Sequence, residues 1–172
     1  MVSFVRAAYP NDYQIIATLA DEIWREHYTP VIGSSQVEYM LDRFQSPGAI
    51  AQQIIEGFVY YRIRYELPNP SLEEFPDIGY LAIQSRESGI FLSKFYVQNR
   101  FRGQGIGRTA MEFVEQMARD GHVHTITLTV NKTNYSAIKF YEKLGFQRLR
   151  ALVQDIGNGF VMDDYEMQKV ID

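Results

Sequence analysis

Apolar residues recur along this chain with two periods, and the alternation between those periods lays out its elements. VSFVRAA at residues 2–8 reads as a short first strand. After Asn11 or Asp12, either suited to cap a helix, Ile15, Ile16, Leu19, Ala20, Ile23 and Trp24 form one apolar face. They predict a helix through Tyr28 that Pro30 and Gly33 break. Ser35 and Glu38 have capping-box spacing ahead of a short helix carrying Val37, Met40, Leu41 and Phe44. Ser46-Pro47 opens a third helix with Ile50, Ile54 and Ile55, stopped by Gly57.

Strand-like runs follow at 58–65, 78–85 and 89–97, with Ser88-Gly89 suited to a hairpin turn between the last two. The segment between the first pair, ELPNPSLEEFPD, holds three prolines and four acids and reads as an exposed excursion. Beyond residue 105 the pattern predicts a helix to about Asp120, a strand at 123–130 and a helix at about 134–144. Strands near 146–155 and 160–169 complete it, joined at Gly157-Asn158-Gly159. The expected architecture is α+β, a mixed, mostly antiparallel twisted sheet of about seven strands with helices on both faces. With no repeat, low-complexity tract or linker, residues 1–172 read as a single domain.

Composition narrows the function classes. A chain of 172 residues that is 46% hydrophobic and 22% charged is globular and ordered. Its net charge of -4 lacks a dominant basic face, which argues against a nucleic-acid partner. Charges interrupt every apolar stretch short of the ~18 residues a membrane span needs, so a cytoplasmic protein with no membrane partner is expected. With no cysteine, disulfides, cysteine-ligated zinc and a thiol acyl-enzyme are excluded. His27, His122 and His124 show no H-E-x-x-H spacing, so no metal is expected.

The stretch from Leu92 to Arg108, LSKFYVQNRFRGQGIGR, is a strand, a glycine-rich loop and a helix start. Unpaired N–H groups of a helix's first turn attract anions, and Gly103, Gly105 and Gly107 let a ligand approach the backbone. Lys94, Arg100, Arg102 and Arg108 stand in residues 94–108 without any acid, which points to a phosphate-bearing ligand. The spacing G-x-G-x-G departs from the dinucleotide fingerprint, and Arg102 occupies the first glycine of a P-loop, so neither nucleotide motif fits.

What fits is arginine, two residues, glycine, one residue, glycine, at Arg102, Gly105 and Gly107. About thirty residues on, Asn134, Ala137, Phe140, Tyr141, Gly145 and Phe146 match N-x-x-A followed by F-Y-x-x-x-G-F. In this order and spacing the two motifs resemble those of the GNAT family of N-acetyltransferases. The resemblance implies the GNAT fold and acetyl-CoA as co-substrate, with the pyrophosphate on Arg102, Gly103, Gln104, Gly105, Ile106, Gly107 and Arg108. It also implies backbone contacts from Phe95, Tyr96 and Val97 to the pantetheine arm, with Lys143 near the 3′-phosphate.

Asn134, Ala137, Ile138 and Tyr141 share one helical face by spacing alone. Ala137 leaves room for a ligand chain, Asn134 can hydrogen-bond an amide, and Tyr141 reaches the end of the same groove. Acetyl transfer from a thioester to an amine needs a neutral amine, an oxyanion donor and a proton for the thiolate. Tyr141 is the candidate acid and the backbone N–H near Val97 the candidate oxyanion donor, although Tyr141 taken alone reads as packing. Many family members carry a Glu on the strand before the loop; here that strand offers Ser93, Lys94 and Tyr96, and no base is named.

WREHYTPVIGSSQVEYMLDRFQS at 24–46 with VMDDYEM near the end looks like the bacterial branch that includes PaiA-type polyamine acetyltransferases. That likeness implies a small-molecule amine acceptor among Trp24, Tyr28, Met40 and Asp164, with Asp21, Glu22, Glu26, Glu38 and Asp42 as an acidic rim. The same residues read equally well as core and solvated helix faces. An idle acyl-CoA-binding sensor and a protein N-terminal or lysine acetyltransferase are the alternatives, and a homodimer is compatible with family habit.

Overall fold

The computed structural model describes residues 1–66 and 76–172; of the proline-rich excursion expected from the sequence, residues 67–75 lie outside the described residues. In chain order the described elements are β1 (Val2–Arg6), α1 (Pro10–Ile32), α2 (Ser34–Gln45), α3 (Pro47–Ile55), β2 (Phe58–Tyr65), β3 (Asp77–Arg86) and β4 (Gly89–Val97). After a single turn at Asn99–Phe101 come α4 (Ile106–Asp120), β5 (Thr125–Asn131), α5 (Tyr135–Lys143), β6 (Gln147–Gly157) and β7 (Phe160–Val170). The strands take the order β1-β2-β3-β4-β5-β7-β6. Strands β4 and β5 run parallel, while the β1–β2, β5–β7 and β6–β7 ladders are antiparallel. This is the seven-stranded mixed sheet of an α+β fold that the hydrophobic pattern predicts.

Two compact units make up the chain. The first comprises Met1–Ile83 and Lys94–Thr109, the second Gln84–Ser93 and Ala110–Asp172, so β4 contributes a half to each.

In the first unit, α1 buries Ile16, Leu19, Ala20, Ile23 and Trp24 of the stripe its sequence spacing predicts, with Ile15 half-buried at its edge, together with Val37, Met40 and Leu41 of α2 and Ile50 of α3. Tyr60 and Ile63 of β2 and residues 78–83 of β3 complete that core. Two helix limits differ from expectation. Helix α1 continues through Pro30 to Ile32, because a proline in the last turn removes only one ladder bond, and Gly33 at φ 84 ends it instead. Gly33 also precedes α2, and Glu38 pairs with Arg25 in place of closing a capping box.

Asp12, expected as a cap, lies inside the first turn of α1 and reaches back to accept from the amides of Ala8 and Tyr9 at 2.9 and 3.0 Å. Its other oxygen pairs with Arg62 of β2 at 3.1 Å, and Arg62 bonds both carboxylate oxygens of Asp77 in β3 at 2.7 and 2.9 Å. One guanidinium therefore joins the start of α1 to two strands.

In the second unit, Ala110, Met111, Val114 and Ala118 of α4 are buried, as are Ile126, Leu128 and Val130 of β5, Ile138 of α5 and Met167 of β7. Strand β7 pairs with β5 from Thr125↔Val170 to Asn131↔Asp164 and with β6 on its other edge. Lys169 of β7 meets Glu115 of α4 at 2.5 Å. Among the described residues no helix is long and apolar enough to cross a membrane.

Burial by itself would raise the Asp12 carboxyl, but the amides of Ala8 and Tyr9 and the Arg62 charge outweigh it and hold the group below its ordinary value. A depressed carboxyl contributes stability above the unfolded value of ~3.9 and loses it as pH falls through the folded value. Asp12→Ala should therefore lower stability by about 2 kcal/mol near neutral pH, and the difference should shrink below about pH 4, as read by urea unfolding at both conditions.

Candidate functional site

The loop after β4 holds a continuous run of unused donors. Gly103 and Gly105 adopt φ 77 and 80, which only glycine takes without strain, and a Cβ on either would point into open space. Those two left-handed steps turn the chain from the strand into α4. Thr109 N–H bonds the Gly105 carbonyl at 3.1 Å as the first helical bond. Among the described residues, none of the amides from Gly103 to Arg108 donates to a partner, and Arg108 has no ion pair. Six successive N–H groups at the positive end of a helix of fifteen residues are thus free for an anion.

The basic residues that preceded this loop in the sequence argument serve other ends. Arg102 Nε donates to the Val97 carbonyl at 3.1 Å, bracing the loop against the last residue of β4. Arg100 bonds Gln98 at 3.2 Å and lies over the Phe101 ring, and Gln104 Nε2 donates to the Arg100 carbonyl at 3.3 Å. Lys94 is buried, 8% exposed, and adds no charge to the loop.

Lys94 instead points inward from β4. Its Nζ donates to the Phe44 carbonyl at 2.7 Å, to Gln53 Oε1 at 2.8 Å and to the Tyr60 hydroxyl, which in turn donates to Gln53 at 2.5 Å. All three ammonium protons are used, by groups from α2, α3 and β2. Burial lowers the ammonium to about 7 and raises the Tyr60 phenol. The sequence carries a signal for this: Lys94 shares parity with Ile90 and Leu92, the inward positions of β4.

After Lys94 the alternation slips by one, so that Val97 is buried where Tyr96 is half-buried, as an inserted residue produces. Gly79 of β3 lies against this point; a Cβ there would sit 2.3 Å from the Tyr96 carbonyl oxygen. A glycine inside a strand marks such a close approach, and the sequence reading passed over it.

Tyr96 closes a cluster of rings. Trp24 of α1 lies 4.6 Å from Tyr28 and 5.4 Å from Tyr96 between centroids, Tyr28 lies 6.3 Å from Tyr96, and Tyr80 of β3 lies 5.4 Å from it. Two of the four residues assigned to an acceptor pocket, Trp24 and Tyr28, thus meet, joined by two tyrosines that the sequence did not single out for it. Met40, the third, is 5% exposed on α2 with its sulfur 3.9 Å from Gln36 Nε2. The acidic rim divides: Asp21 and Glu38 both pair with Arg25, whereas Glu22 accepts from Gln98 Nε2 at 2.9 Å and Glu26 from Asn99 Nδ2 at 3.4 Å, neither with a cationic partner among the described residues.

In the second unit, Asn134 caps α5, its Oδ1 accepting from Ala137 N–H at 3.4 Å, which leaves its amide nitrogen as the outward donor. Ala137 is half-buried one turn on, and Tyr141 is 8% exposed between Phe140 at 5.2 Å and Phe146 at 5.4 Å. Lys143 is exposed in the last turn. Asp164 is buried on β7, opposite Asn131, from which the chain enters the α5 cap. Among the described residues no group of three His, Asp or Glu side chains could hold a metal ion.

The model of the acetyltransferase (GNAT) family matches residues 18–146. N-acetyltransferase family 8 member 2 of Rattus norvegicus is 37% identical over 57 residues, 33% of this chain, and the match spans a quarter (25%) of that relative's length. The structure of a PaiA N-acetyltransferase from Thermoplasma acidophilum, in complex with coenzyme A, superposes with a TM-score of 0.76 at 17% identity over 99% of both chains. A ribosomal-protein alanine N-acetyltransferase from Escherichia coli gives 0.70 at 17% identity, over 100% of this chain and 95% of that one. At such identities the structural likeness is one of fold.

A lysine whose folded value is lowered holds fewer protons than the unfolded chain between about 7 and ~10.4, so stability rises with pH across that window. Below about pH 7 the burial penalty is fully present. Urea unfolding from about pH 7 to about pH 9 should show a gain of up to ~1.4 kcal/mol per unit in the wild type, and Lys94→Met should abolish that slope.

Proposed function

This chain belongs to the acetyltransferase (GNAT) family, and on that premise we propose that it transfers the acetyl group of acetyl-CoA directly to a primary amine, both bound together. The observation that carries the reading is the run of six undonated amides from Gly103 to Arg108, with the free Arg108 cation among them. A pyrophosphate offers the charge and the several acceptor oxygens such a cradle lacks.

The rest of the assignment follows the chemistry. Phe95, Tyr96 and Val97 present backbone groups to the pantetheine arm as an added strand. Val97 N–H is the donor for the oxyanion that forms when the amine adds to the thioester carbonyl. Asn134 Nδ2 bonds an amide of the arm, Ala137 makes room for it, and Lys143 meets the 3′-phosphate. Tyr141 gives its proton to sulfur as the C–S bond breaks; a phenol of pKa ~10 and a thiol of ~8.5 are close enough for coupled transfer.

The acceptor we propose is a small cationic amine of the polyamine kind. Aromatic faces of Trp24, Tyr28 and Tyr96 attract an alkylammonium, and Glu22 and Glu26 add negative charge beside Gln98 and Asn99. Acetylation of a protein N-terminus is the competing reading.

CoA release from acetyl-CoA against polyamines, small amines, amino acids and peptides tests this. Tyr141→Phe should cut turnover at least ~10-fold with CoA binding retained, and Arg108→Ala should weaken CoA binding about fivefold with less effect on turnover at saturation. Binding of acetyl-CoA with no acceptor consumed would overturn the transferase reading in favour of a sensor.

A further inference from the structure

Strand β7 carries one carboxyl that the fold itself does not use. Along this hairpin, Asp163 pairs with Lys132, Glu166 with Arg150 at 2.6 Å, and Asp155 accepts from the Gly157 amide at 2.8 Å. Asp164, by contrast, is 4% exposed and makes no hydrogen bond or ion pair among the described residues. Its oxygens are not among the sealed unpartnered atoms, so they keep a narrow contact with solvent. A carboxylate in that position has given up most of its hydration without receiving a partner, which is an unfavourable state for a structural residue.

Its place in the second unit is specific. Asp164 lies in register with Leu152 of β6 on one edge and with Asn131 of β5 on the other. Asn131 is the last residue of β5, and three residues later Asn134 caps the helix that carries Tyr141. The unpartnered carboxyl therefore stands on the same end of the sheet from which the helix of the proposed acid departs.

Resting on the acetyl-transfer reading above, we infer that Asp164 is the base of the reaction, the carboxylate that receives the acceptor's ammonium group and removes its proton. The missing counter-charge is then supplied by the substrate. The ammonium gives one proton to Asp164, and the freed nitrogen lone pair forms the N–C bond to the thioester carbonyl. The C–S bond breaks with its electron pair on sulfur, which takes the Tyr141 proton. The second proton, lost from nitrogen after attack, restores the phenol through water, and Asp164 releases its proton to solvent. One ammonium ion and one acetyl-CoA become one amide, one CoA thiol and one proton.

Burial first and then the Asp163 charge raise the Asp164 carboxyl to about 6, with Lys132 opposing them. Arg150 and Glu166 are the other charged groups on the paired strands near it, and they neutralise each other. A base poised there is ionised at neutral pH yet more basic than an exposed carboxylate.

The test compares ethylamine with 2,2,2-trifluoroethylamine, whose ammonium is so acidic that it enters the site already neutral, using wild type and Asp164→Asn. With spermidine as a third acceptor, CoA release is followed against pH, and CoA affinity and thermal midpoint report folding. The inference expects Asp164→Asn to lose at least ~100-fold in kcat/KM on ethylamine and spermidine, less than ~10-fold on trifluoroethylamine, and the acid limb near pH 6. Equal losses on all amines, or none, would overturn it and leave the transferase reading standing; a wild type that acetylates no amine at all would overturn both. Should Asp164→Asn fail to fold, Asp164→Glu provides the second arm, and a wild-type acid limb unmoved by that change would equally reject the base.

Discussion

A buried ammonium group sets the first unit in order. Lys94 sits on the strand that leads into the glycine loop, and with its charge removed from water it must find three oxygen acceptors inside the core. The Phe44 carbonyl, Gln53 and Tyr60 supply them from α2, α3 and β2. Satisfying one side chain thus fixes three elements against β4. Two residues later come Tyr96 and Val97, whose positions decide both the ring cluster and the start of the anion cradle. An apolar residue at 94 would fill the space, but the Phe44 carbonyl, Gln53 and Tyr60 would keep only their bonds to one another, and β4 would lose its directional tie to them.

Elsewhere the fold pairs most of the charges it buries or half-buries, and that gives the buried exception its meaning. Arg62 is held between Asp12 and Asp77, Glu115 meets Lys169, and Arg25 pairs with both Asp21 and Glu38. Against this background the six open amides at residues 103–108, Arg108 and the Asp164 carboxyl stand out as polar groups that folding leaves unanswered. Backbone donors at a helix start cannot be satisfied from within the helix, so an anion there comes without competition. A buried carboxyl is different, since nothing in secondary structure demands it, and its position calls for a cationic partner.

Some of this was readable from residue order alone. The stripe of α1 from Ile16 to Trp24, the Ser46 cap of α3, the glycines that turn β4 into α4 and the Asn158 turn at φ 53 depend on contacts or conformations within a few residues. Helix limits were less legible. Pro30 ends a helix by local rules, yet α1 absorbs it in its last turn, and Glu38 abandons its local box for Arg25, thirteen residues away in sequence. The basic run 94–108 misled in one respect, because counting charges says nothing of direction: Lys94 faces the core and Arg102 folds back onto Val97.

What the sequence by itself determined is therefore the order of elements, the family and the turn of the glycine loop, set by periodicity, by motif spacing and by glycines whose backbone angles no other residue adopts freely. Only the tertiary structure decided which side chains share an environment. Tyr96 reaches Trp24 and Tyr28 across some seventy residues of chain, Lys94 finds Gln53 across 41, and Asp164 is placed by strand pairing with Asn131. Burial, the loss of hydration and the presence or absence of a partner are properties of that packing. They separate a solvated acid from a poised one, and no local pattern encodes them.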